Sequence, residues 1–373
     1  MNTTMIFENL STADVENREL NPLAYDRADY PLLTDMLQSR QFNSNEVYSI
    51  DLTKLSKKGI LIQDPMQVYL DKRALSSSAL KEAIKTPAHY SFYQTQKHSA
   101  PAKDHFDLGT FAHMAFIEPE QFHTVIIEPK GSLGKKDDVL KLIKFYCKLN
   151  KVKPKEFNPE QDKLADMKTY LAEQKDACHY QVVSREHQDI IDAIKYNYNH
   201  YGSGIIPRIL KGAMGETSFY SKDADTGMPV KIRCDCFNVE ENIGVNAIIS
   251  FKTTSASTLS KFIYDSAKYQ YELSEGMYQI VASEVTGRKF NVTIMIMLQT
   301  VPPYLPAVFW WTPDDLQNGK YKYRNAMSIV AECESRRLFP GFDAMSESGN
   351  YGIIELFQPE WSKKELPPVD IED

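Results

Sequence analysis

Residues 216–254, ETSFYSKDADTGMPVKIRCDCFNVEENIGVNAIISFKTT, switch the chain from helical spacing to alternation. The stretch DADTGM contains Gly227, and EENIG contains Asn242 and Gly244, both suited to hairpin turns. Three antiparallel strands in a meander are expected. On the third, IISFKTT (248–254), Ser250 and Lys252 share one face while Ile249 and Phe251 point to the other, because strand side chains alternate.

Helical patterns surround this core. Upstream, LSSSALKEAIKTPAHYSFY (75–93) opens with a serine-rich cap, places Leu80, Ala83 and Ile84 at helical spacing and is interrupted by Pro87. HFDLGTFAHMAFIEPEQF (105–122) predicts a helix with Leu108, Phe111, Ala112 and Ala115 on its apolar face and His113 beside it, ended at Pro119. Two or three helices are expected over 137–200. Downstream, helical pattern resumes over 258–287 and stops at Gly287, as helices often do at glycine. Two apolar strands, FNVTIMIML (290–298) and AVFWW (307–311), precede a last long helix. This order predicts a mixed α/β fold, with a central mixed sheet flanked by helices rather than an alternating Rossmann array.

A hydrophobic fraction of 42% with 25% charged residues describes a globular chain, not a disordered one. No apolar run approaches bilayer length, and the N-terminus lacks a basic start followed by an apolar core. A soluble cytoplasmic protein with no membrane partner is expected. Five scattered cysteines favour reduced thiols over a disulfide framework, and Cys234 and Cys236 read as core thiols rather than zinc ligands. The net charge of −7 argues against nonspecific coating of nucleic acid but leaves room for a local basic channel. Six lysines in KLIKFYCKLNKVKPK (141–155) supply one candidate, with Lys144, Lys148 and Lys151 available to phosphates. The same segment also reads as the solvated face of an amphipathic helix.

Glu216, Asp235 and Lys252 fall on the first, second and third strands of the meander. Carboxylates can hold a hard divalent cation against a phosphate, and a lysine can orient water and offset charge. The same residues could instead be structural: Glu216 a strand-end charge, Asp235 a partner of Arg233 or Lys231, and His113 a capped or buried helix histidine.

Several segments, in order, resemble the PD-(D/E)XK nucleases, specifically the exodeoxyribonuclease VIII (RecE-type) domain, a relative of phage lambda exonuclease. LSSSALKEAIKTPAHY is similar to that family's opening helix, and LGTFAHMAFIEPEQF to its glycine-to-histidine helix. GETSFYSKDADTGMPVKIRCD is similar to its Glu strand, Thr-Gly turn and Asp strand, YELSEGMYQ to its Gln-and-Tyr helix, and LFPGF to its terminal motif. The resemblance implies an exonuclease-like domain over 71–345, an N-terminal extension or small accessory region over 1–70, and a C-terminal tail over 346–373. It implies that His113 and Asp235 bind Mg²⁺ or Mn²⁺, that Lys252 is the catalytic lysine and that Glu216 is an acidic site residue. It further implies 5′ to 3′ action on linear duplex DNA ends, a single-strand annealing partner and a ring-shaped homo-oligomer.

Two positions depart from the pattern. Ser250 stands where the family has its second metal-binding carboxylate, and Ser274 where its helix usually offers Gln. A neutral hydroxyl is a weak ligand for Mg²⁺. A weakened or inactive nuclease, or a non-catalytic DNA-end-binding module on the same fold, follows as an expectation, and Ser250→Asp is expected to restore a ligand.

Overall fold

The computed structural model describes residues 27–96, 98, 126–180 and 182–358. Its centre is a six-stranded sheet in the order β1-β4-β5-β6-β7-β8. The strands are β1 (Ile60–Ile62), β4 (Met214–Lys222), β5 (Pro229–Asn238), β6 (Ala247–Thr254), β7 (Val292–Gln299) and β8 (Pro306–Trp310). A separate parallel pair joins β2 (Ile126–Ile127) to β3 (Val182–Val183). All neighbours in the main sheet are antiparallel except β6 and β7.

A parallel pair needs a crossover, which helices α7 (Leu259–Lys268) and α8 (Tyr271–Thr286) provide. Gln270 lies between them at φ 50, and Gly287 closes α8 in the left-handed region that glycine adopts without steric cost. The strand β7 reads VTIMIMLQ with every residue buried, the near-continuous apolar pattern of a strand covered on both faces.

On one face, Cys236, Ile249, Phe251, Ile294 and Ile296 pack with Ile191, Ile194 and Tyr198 of α5 (Arg185–His200) and with Ile206 and Ile209 of α6 (Ile205–Ile209). Met36 and Phe42 join this cluster. On the other face, Met295 and Met297 pack with Phe262 of α7 and with Ala307. Helix α8 lies on this second face, and its Leu273, Met277, Val281 and Val285 are buried.

The sheet takes in a strand from before residue 70. Strand β1 pairs with β4 through Ile60–Tyr220, Leu61–Phe219 and Ile62–Ser218. Nor is EENIG a tight hairpin: Glu240–Ile243 make one helical turn closed by Gly244 at φ 84, which adds a cap before β6. The segment 137–200 holds α3 (Lys136–Leu149), α4 (Leu164–Asp176) and α5. The buried face of α3, including Leu142, Ile143 and Tyr146, meets Met167 and Leu171 of α4.

Among the described residues, 27–78, 98, 126–180 and 182–324 form one compact unit, and Ala79–Gln96 with 325–358 form another. The second unit holds its own ties. Ala88 N donates to Pro340 O at 3.0 Å, Tyr90 Oη donates to Glu334 Oε1 at 2.9 Å, and His89 packs edge-on against Phe342. Helices α1 (Ser77–Lys85), α2 (Pro87–Thr95) and α9 (Pro313–Arg336) complete the long elements among the described residues. No described helix is long and apolar enough to cross a membrane.

Candidate active site

Strands β5 and β6 pair only through Cys236–Ile249, Phe237–Ile248 and Asn238–Ala247. The next pair in register would be Asp235 with Ser250, and there the ladder ends, although β5 continues along β4 and β6 along β7. The Asp235 side chain occupies this fork. Its Oδ2 accepts from Phe251 N at 2.7 Å, satisfying a backbone donor that the ladder leaves unpaired. Lys252 Nζ lies 3.5 Å from the same oxygen.

Alternation on β6 turns Ser250 and Lys252 toward α8 and sends Ile249 and Phe251 into the opposite apolar cluster. Helix α8 meets the sheet with a polar stripe, because Tyr271, Glu275 and Gln279 recur at i, i+4 and i+8. Lys252 Nζ stands 5.5 Å from the Tyr271 ring centroid, Ser250 Oγ donates to both oxygens of Glu275 at 2.8 Å, and Gln279 Nε2 donates to Thr293 Oγ1 at 3.1 Å. Glu275 is completely buried. Burial opposes the charge on Lys252, but the carboxylates of Asp235 and Glu275 outweigh it and raise the ammonium pKa above 10.5. Lys252 is therefore a cation at neutral pH.

The register sets Glu216 across from Asp235, between the pairs Gly215–Cys236 and Thr217–Cys234. Its backbone is left-handed at φ 47, and its carboxylate turns to Arg233, accepting from Nε at 2.7 Å. Arg233 also donates to Asp64 O at 2.7 Å and to Ser218 Oγ at 3.0 Å. The Asp64 carboxylate accepts from Ser218 Oγ at 2.5 Å and from Tyr220 Oη at 2.6 Å. Glu216 thus belongs to a half-buried ion-pair network beside the fork. Lys231, offered above as a partner for Asp235, donates to the carbonyls of Tyr69 and Lys72 at 2.7 Å each.

The fold brings together Asp235, Ser250 and Lys252, with Glu216 across from Asp235 on β4. His113 lies outside the described residues. Lys144, Lys148 and Lys151 are exposed on or just beyond α3. Cys234 and Cys236 are buried, and burial pushes both thiols well above their ordinary pKa. Sequence reasoning missed Glu275 and Asp64. The recurrence of Tyr271, Glu275 and Gln279 at helical spacing was the available signal for the first; nothing near Asp64 announced it.

Among the described residues, no three His, Cys, Asp or Glu side chains form a ready-made metal cluster. Mg²⁺ does not require one. It takes hard oxygen donors, keeps several waters and is commonly held by one or two carboxylates together with substrate phosphate. The carboxylate of Asp235, at the mouth of a strand fork and beside a lysine, fits that chemistry.

Residues 76–351 match the family described as "PDDEXK-like domain of unknown function (DUF3799)". Among solved structures, the chain is similar to a provisionally assigned exonuclease from Eubacterium rectale at 14% identity and a TM-score of 0.39, covering 73% of this chain and 88% of that one. It is also similar to SSO0001 at 13% identity and a TM-score of 0.23, covering 61% and 87%. No curated protein matches. The structural likenesses are too distant to bear on activity, but the family match spans most of the chain and includes the whole Asp235–Lys252 fork. The chain belongs to the PDDEXK-like family.

Proposed function

We propose that this protein is a metal-dependent DNA exonuclease of the RecE type, acting 5′ to 3′ on linear duplex ends. The observation that carries the reading is Lys252 Nζ set 3.5 Å from Asp235 Oδ2 where β5 and β6 part. A divalent cation bound at Asp235, with His113 as a further ligand, would supply Lewis-acid stabilisation of the phosphate and a more acidic bound water. Asp235 is already oriented for this by the Phe251 N–H. Lys252 presents its ammonium beside that carboxylate, where it orients the attacking water and offsets charge on the phosphoryl oxygens. The water oxygen forms the new bond to phosphorus, the bond to the leaving sugar oxygen breaks, and the water proton passes to solvent.

Lys144, Lys148 and Lys151 belong to this proposal as phosphate contacts. So do a cytoplasmic location, a ring-shaped homo-oligomer and a single-strand annealing partner. A second reading is favoured by Ser250, a neutral residue at a ligand position: a DNA-end-binding module without catalysis.

Degradation of end-labelled linear duplex and of covalently closed circles, each with Mg²⁺, Mn²⁺ or EDTA and with a Lys252→Ala control, separates them. The exonuclease reading expects linear DNA alone to be degraded, only with metal, and not by the Lys252→Ala protein. DNA binding indifferent to EDTA, with no degradation, would establish the binding module instead. Cleavage of closed circles would make the protein an endonuclease.

A further inference from the structure

Glu275 is a carboxylate with no solvent exposure, between Tyr271 and Gln279 on the stripe of α8 that faces the sheet. Such a group is expensive to bury, and buried charges are retained where they are paired or bind metal. Ser250 Oγ, at the family's ligand position, lies 2.8 Å from both Oε1 and Oε2 of this carboxylate. Lys252 Nζ, on the same face of β6 as Ser250, lies 3.5 Å from Asp235 Oδ2. Glu275 thus reaches the Ser250 position from α8.

We propose that Glu275 supplies the second metal-binding carboxylate of this site, moved from the strand position now held by Ser250 to the facing helix. Ser250 is then the positioning residue that orients it. The number of carboxylates at the fork is conserved while their origin changes, so Ser250 does not disable the site. Close packing holds the new ligand in place. A Cβ on Gly319 would come within 1.9 Å of Glu272 O, and one on Gly276 within 2.5 Å of Lys320 N, so α8 and the start of α9 touch backbone to backbone beside Glu275.

This inference rests on the nuclease reading, and its test is Mn²⁺ binding measured by calorimetry and by electron paramagnetic resonance, with no DNA present. The wild-type chain should bind Mn²⁺, and Asp235→Asn should weaken it. Glu275→Gln should weaken binding by more than the roughly 10- to 100-fold lost when a hydrogen-bond partner of a ligand is removed. The double variant Ser250→Asp with Glu275→Gln returns the charge to the strand and should recover most of the affinity. Should Glu275→Gln fail to fold, a double variant that folds and binds Mn²⁺ still supports the relocation, and one that folds without binding overturns it. Wild-type affinity in Glu275→Gln, with loss in Asp235→Asn, would overturn the role of Glu275 and leave the nuclease reading standing. Absence of binding by the wild-type chain would overturn both.

Discussion

Ser250 Oγ donates to both carboxylate oxygens of Glu275, at 2.8 Å each, and neither residue is exposed to solvent. Strand β6 and helix α8 are thereby joined by a polar contact beneath the fork that holds Asp235 and Lys252. A position that reads in the sequence as a lost ligand is, in the fold, already occupied from the other side.

Ser250→Asp alone should therefore be destabilising rather than a simple gain of a ligand. It would set a second carboxylate against Glu275 where neither can reach water, and like charges so placed force one to protonate. A loss of about 3–5 kcal/mol in EDTA at pH 8, the scale of an uncompensated buried charge, is expected by urea denaturation. The loss should shrink at pH 5 and on adding Mn²⁺. A variant as stable as wild type in EDTA at pH 8 would contradict the geometry.

Gly319→Ala tests how α8 is held. The added methyl carbon would meet Glu272 O at 1.9 Å, and backbone cannot yield as a side-chain tip can. A destabilisation of about 1–3 kcal/mol or more, typical of overpacking, should be accompanied by weaker Mn²⁺ binding as Glu275 shifts. A stable variant with unchanged Mn²⁺ affinity would show that the helix crossing does not position the ligand.

Asp223 makes acid stability predictable. It is fully buried and paired with Arg324, and it accepts from Thr226 N at 2.9 Å and Tyr323 Oη at 3.0 Å. Burial alone would raise its pKa, but the guanidinium and these hydrogen bonds outweigh it and hold the carboxyl below 3.8. A carboxyl depressed in the folded state contributes stability that is complete above its unfolded pKa and is lost as pH falls through the folded value. Glu284, 3.5 Å from the same arginine, is shifted upward by burial and acts in the opposite sense. Asp223→Asn should lower stability at pH 7 and flatten the fall of stability below about pH 4. Chemical denaturation across pH 3–7 reads both, and parallel curves for the two proteins would exclude the pair as the source.

Lys144, Lys148 and Lys151 test the proposed DNA path. If each meets a phosphate, replacing all three by Glu should weaken duplex binding. The slope of log affinity against log salt should fall by about 3, close to one unit per lost contact. Fluorescence anisotropy over a salt series checks this. Unchanged affinity and slope would return these residues to a purely solvated role.

The local code was enough to read much of this chain. The meander over 216–254, the stop at Gly287, the apolar β7 and the long last helix all follow from periodicity and turn chemistry, which depend on neighbours a few residues apart. Alternation alone placed Ser250 and Lys252 on one face and Ile249 and Phe251 on the other. What the sequence could not show is pairing across space. The parallel joining of β6 to β7, the recruitment of β1 from before residue 70, the turning of Glu216 onto Arg233 and Asp64, and the meeting of Glu275 with Ser250 all depend on contacts between distant residues. Glu275 is 25 residues from Ser250 along the chain. Only the crossover through α7 and α8 lays its helix over β6, so the sequence shows a missing carboxylate and the tertiary structure shows where another stands.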